Sequence, residues 1–128
     1  MKLTKLGMLC SLVMSAGLAA MPAYADLTIV NGTDLPSTSR INGGFCSTVL
    51  GSVGVTEPGA TNVVPQATVE GACWINKTSC NAEVFMNRNC AGTPVATVTI
   101  NTATGITGVS VTGPYHFSAS GFQIAISK

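Results

Sequence analysis

From residue 26 onward, apolar side chains recur at every second position in short runs, and each run stops at glycine, proline or asparagine. Period-two runs bounded by turn residues predict half-buried β-strands. The clearest lie in the last third. Ala82, Val84 and Met86 alternate with Glu83, Phe85 and Asn87, and Ala96, Val98 and Ile100 alternate with threonines. Val109 and Val111 should face inward from a strand over 106–112, and Phe122, Ile124 and Ile126 close the chain in the same period. Shorter strands are predicted over 27–30, 38–41, 62–64, 67–74 and 115–118. Asn31-Gly32, Asn42-Gly43-Gly44, Glu57-Pro58-Gly59 and Gly113-Pro114 supply turns, and residues 51–59 read as an exposed irregular loop. No apolar period of 3.6 residues is sustained. The expected fold is all-β: one domain over 26–128, a small antiparallel sandwich or barrel.

Residues 1–25 follow a different pattern. Lys2 and Lys5 precede an apolar run over 6–20, and Ala23-Tyr24-Ala25 supplies a small-x-small site. These are the parts of a secretory signal peptide cleaved after Ala25. The run is shorter than the roughly 20 residues a membrane span needs. Cys10 lies inside it, after Leu9 rather than a small residue, so lipoprotein processing is not expected. The protein should therefore be secreted, to the periplasm or beyond the cell, with no transmembrane segment after cleavage.

Export changes how the cysteines are read. Cys46, Cys73, Cys80 and Cys90 form an even set in a short exported domain, which suggests a disulfide framework. A strand over 82–88 would span roughly 23 Å, whereas bridged Cα atoms lie about 5.5 Å apart. Cys80 and Cys90 flank that strand and should not bond each other. The preferred pairing is Cys73 with Cys80, as a stapled hairpin, and Cys46 with Cys90. Zinc is not expected, because intervening stretches of 26, 6 and 9 residues do not form paired knuckles.

Charge and motifs narrow the chemistry. Four basic and five acidic side chains from Asp26 onward are scattered singly, giving a formal charge of −1. With no basic patch, neither nucleic acid nor a polybasic membrane contact is expected. His116 is the only histidine, no serine lies in a G-x-S-x-G elbow, and no glycine-rich loop joins a strand to a helix. No catalytic residue, cofactor or metal ligand is assigned. Asn31-Gly32-Thr33 and Asn76-Lys77-Thr78 match glycosylation sequons, read here as turn residues.

Trp74, Lys77, Phe45, Tyr115 and His116 are the candidates for a recognition surface, alongside the loop at 51–58, because exposed aromatics carry much binding energy. The competing expectation is packing, with Trp74 seated over the disulfide and Phe45 in the core. Residues 27–33, LTIVNGT, resemble the first strand of secreted sandwich families such as the thaumatin-like and aegerolysin-like proteins. Thaumatin-like proteins have more cysteines, and aegerolysin-like proteins more aromatics. The whole chain resembles small disulfide-stapled β-sandwich proteins exported by Gram-negative bacteria, and no functional residue is carried across from any of them. The leading reading is a non-enzymatic exported binding module, acting on a host or neighbouring cell, whose ligand is a protein, glycan or lipid. The alternatives are a membrane-active, lipid-binding or pore-forming protein, which requires aromatics gathered at one end, and a small hydrolase or protease inhibitor.

Overall fold

The computed structural model describes residues 25–128. The expected signal segment lies outside them except for its last residue. The strands are β1 (Leu27–Asn31), β2 (Thr38–Ile41), β3 (Thr61–Val64), β4 (Cys80–Phe85), β5 (Ala96–Asn101), β6 (Gly105–Val111), β7 (His116–Ser120) and β8 (Gln123–Ser127). They form two four-stranded sheets, ordered β3-β1-β8-β7 and β2-β4-β5-β6. The all-β sandwich and its two disulfides are what the strand periodicity and cysteine count predict.

The expectation of a purely antiparallel arrangement needs one correction. β1 and β8 run parallel, with Ile29 opposite Ile124 and Asn31 opposite Ile126. A parallel pair cannot be joined by a tight turn. Here the first and last strands of the described residues pair, and all the intervening chain serves as their connection.

The core lies between the sheets. Leu27, Val64, Val84, Ala96, Val98, Ile100, Ile124 and Ile126 are buried in one cluster, as their alternation requires. Between β5 and β6 the register shifts after Thr99, so Ile100 faces Ile106 while Thr99 faces Gly108. Val109 is partly buried against the core, but Val111, expected inward, is exposed where the sheet ends.

Two segments expected to be irregular or extended are helical. Residues 67–74 are not a strand. Pro65 has φ −57° and opens a short helix, α1 (Gln66–Ala72), which buries Gln66 and Val69 and ends at buried Cys73. That spacing of three and four residues is the helical one, but over seven residues it is too brief to register as a period. The loop at 51–59 also begins inside regular structure: residues Ser47–Gly54 form a 3-10 helix kinked at Gly51, where φ is +79°. Ser47 Oγ donates to the Gly54 carbonyl, and a Cβ at Gly54 would collide with the Ser47 backbone. Asn62 Nδ2 donates to the Val53 carbonyl at 3.0 Å. This segment covers one side of the sandwich and, with Leu50 and Val53, roofs an apolar cavity of about 80 Å³ between the sheets.

Cys46 pairs with Cys90 and Cys73 with Cys80, at Cα separations of 6.0 and 5.4 Å. Both lie within the range a disulfide spans without distortion. The short staple does not close the expected hairpin; it joins the end of α1 to the first residue of β4. The long staple secures a second buried patch. Phe85 lies outside the main core cluster yet is only 3% exposed. The Arg40 guanidinium sits 5.9 Å from its ring centre and donates to the carbonyls of Gly44 and Cys90. Thr38, opposite Phe85 in the register, accepts the Cys90 N–H through its hydroxyl.

Candidate functional site at the stapled end

Residues Trp74–Ser79 project between the feet of the short staple, and the backbone beneath them is clamped from two sides. Thr102 donates its N–H to the Lys77 carbonyl at 2.8 Å, and its own carbonyl accepts from Gln66 Nε2 at 2.8 Å. Gln66 is buried, and its backbone N–H is held by Asp26 Oδ1 at 3.0 Å. Inside the loop, Asn76 N–H reaches the Cys73 carbonyl at 3.0 Å. The base of α1, the turn after β5 and the loop are thus one hydrogen-bonded unit, closed covalently at Cys73 and Cys80.

That unit displays apolar surface. Trp74 is 72% exposed and Ile75 is 85% exposed. The expectation that Trp74 packs over the disulfide is therefore wrong. Cys73 ends a helix, so the next residue is carried out into solvent instead of back across the sheet. Ile75 was not among the sequence candidates. Its one signal is its position, an apolar neighbour of tryptophan inside a six-residue cysteine loop.

Phe45 belongs to the same end. Asn42 and Gly43 both have positive φ, and Gly44 N–H returns to the Ile41 carbonyl, giving the tight turn that an Asn-Gly pair favours. Asn42 N–H donates to the Asn81 carbonyl and Asn42 Oδ1 accepts Asn81 N–H, so this turn is fastened one residue beyond Cys80. Phe45 follows it at 39% exposed, not in the core as the packing expectation had it. Tyr115 and His116 do not join them. β8 runs from the stapled end, where the Phe122 carbonyl accepts Thr28 N–H, and His116 pairs with Ser127 at its far end. Tyr115 packs partly against the core, while His116 is exposed. The recognition candidates thus divide between the two ends, with Trp74, Lys77 and Phe45 at one and Tyr115 and His116 at the other.

Electrostatics single out Lys77. Arg88 makes a two-pronged pair with Glu57 at 2.7 and 2.6 Å, Lys128 lies 3.5 Å from Asp34, and Arg40 is spent on backbone carbonyls. The hydrogen bond from Arg88 holds the exposed Glu57 carboxyl below its ordinary pKa. Among the described residues, Lys77 is the cationic side chain without a carboxylate or carbonyl partner. The two carboxylates near the base of the loop are engaged, since Asp26 holds the Gln66 backbone and Glu70 accepts from its side chain at 3.2 Å.

The sequons differ in the same way. Asn31 is 1% exposed and donates both amide hydrogens, to the carbonyls of Leu35 and Thr56, so it is closed to modification in the folded chain. Asn76 is exposed on the loop. Among the described residues, no three histidine, cysteine, aspartate or glutamate side chains gather as a metal set. No helix among them is long and apolar enough to cross a membrane.

Comparison with known proteins places this architecture. A family model described as "T2SS substrate NttC" matches residues 1–128. No curated protein matches the chain. The crystal structure of the Legionella pneumophila type II secretion system substrate NttC is similar, with a TM-score of 0.67 at 30% identity. The match covers 81% of this chain and 97% of that one. The chain belongs to the NttC family of type II secretion system substrates.

Proposed function

We propose that this protein is an exported, non-enzymatic binding module that engages its partner through the stapled end of the sandwich. Membership in a family of secretion substrates supports export, and the sequence at Ala23-Tyr24-Ala25 supports release of the leader on the way. The observation that carries the reading is the Trp74–Ile75 pair, held in water on a loop braced by a disulfide and by the Thr102 clamp. Large apolar side chains contribute most to binding when they are already fixed in place, because little freedom is then lost on association. The sole tryptophan sits where packing gives it no reward, and a binding role accounts for that placement.

The test compares two double variants of the purified protein on intact cells. Trp74→Ser/Ile75→Ser should reduce cell binding at least about tenfold, the equivalent of losing one anchoring side chain. Tyr115→Ala/His116→Ala, at the opposite end, should leave binding unchanged. The reverse ranking would move the functional surface to the β7 end.

A further inference from the structure

We infer that the stapled end is an anchor for the phospholipid bilayer interface, with Trp74 and Ile75 entering the headgroup–acyl boundary and Lys77 lying at the level of the phosphates. This rests on the reading that the stapled end is the binding surface, and it names the partner class.

Three observations favour a bilayer over a protein groove. The apolar pair is on the staple loop and is largely exposed, at 72% and 85%. A protein hot spot is more often ringed by side chains that seal it from water, and here the flanking residues Asn76, Thr78 and Ser79 are all exposed polar groups. The residue types also match an interface. Tryptophan settles at headgroup depth, where its ring is apolar and its N–H meets water, and lysine extends its charge back to the phosphates. Lys77 is free to do so, because it has no partner among the described residues. Finally, Phe45 lies on the adjoining turn and places a third partly exposed apolar side chain at the same end.

Charge sets the lipid preference. The loop carries one cationic group, Lys77, so insertion depends on the apolar pair and should occur on zwitterionic lipid. A single lysine near the surface adds about fivefold for anionic lipid.

Trp74 is the only tryptophan, so its emission reports this site alone. The oxidised protein is mixed with vesicles of phosphatidylcholine, and separately with phosphatidylcholine containing a minority of phosphatidylglycerol. Emission should shift to the blue and be quenched by lipids brominated on the acyl chain. In co-sedimentation, Ile75→Ser should bind at least about tenfold more weakly, with a circular dichroism spectrum matching the parent. Lys77→Gln should lose only the anionic preference. If neither vesicle sediments the protein and Trp74 emission does not move, the bilayer assignment is overturned, while the stapled end stands as a surface for a protein or glycan. Sedimentation with Trp74 emission unshifted and Ile75→Ser unaffected would overturn both, because another surface would then meet the lipid.

Discussion

Replacing the long staple, Cys46→Ala/Cys90→Ala, should cost about 4 kcal/mol of folding stability. The bridge joins residues 44 apart in sequence, and chain-entropy reasoning scales the benefit with that separation. The short staple, seven residues apart, should contribute about 2.5 kcal/mol on the same basis. The difference should be widened by what surrounds Cys90. Its backbone holds a positive φ of 54°, its N–H is bound by Thr38 and its carbonyl by Arg40. Loss of the bridge frees that segment and weakens the cover over Phe85. A domain of this size has a total stability of about 5–15 kcal/mol, so the long-staple variant should be near the edge of folding at ambient temperature. Urea denaturation of the oxidised proteins measures both losses. Equal costs for the two staples would contradict the loop-length ordering.

The second large effect is expected at Asn31. Asn31→Ala should destabilise the fold by about 3 kcal/mol, although the residue lies at the end of a strand in a sequence that reads as a turn. The side chain is a four-way connector. Its amide donates to the carbonyls of Leu35 and Thr56 at 2.7 and 3.1 Å, and its oxygen accepts the Thr33 N–H at 3.0 Å and the Thr33 hydroxyl at 2.7 Å. It thereby ties β1 to the segment leading into β2 and to Thr56, which bridges back to Ser37. Alanine would strand several buried groups at once, at about 1–3 kcal/mol for each left unsatisfied, less what entering water recovers. Thermal and urea unfolding of the variant measure the loss. A change below about 0.5 kcal/mol, ordinary for a surface turn, would show that the network is incidental.

The parts of the fold that were legible in the sequence share a physical cause. Where a strand has one face on the core and one in water, as in Ala96–Asn101, burial alternates along the chain and the sequence alternates with it. The strand between Cys80 and Cys90 excluded one disulfide pairing, and the short link from Cys73 to Cys80 favoured the observed one, although it joins a helix to a strand instead of closing a hairpin. Hidden features depend on contacts across the fold or on elements too short to repeat. α1 is seven residues long, the 3-10 helix is broken at Gly51, and the β1–β8 pairing joins opposite ends of the described residues. The candidate site was half legible for the same reason. Tryptophan between cysteines marked the loop, but whether it turned inward depended on Cys73 ending a helix instead of a strand. The separation of Tyr115 and His116 from Trp74 follows from strand direction, which no local pattern encodes.

That inversion at Trp74 underlies the functional reading, and it can be measured with no ligand at all. Acrylamide quenching and the emission spectrum of the free, oxidised protein report how far its single indole is hydrated. A side chain 72% exposed should emit like indole in water and be quenched almost without hindrance. Blue, quench-protected emission would put Trp74 against the disulfide after all and remove the surface on which both the binding role and the bilayer anchor rest.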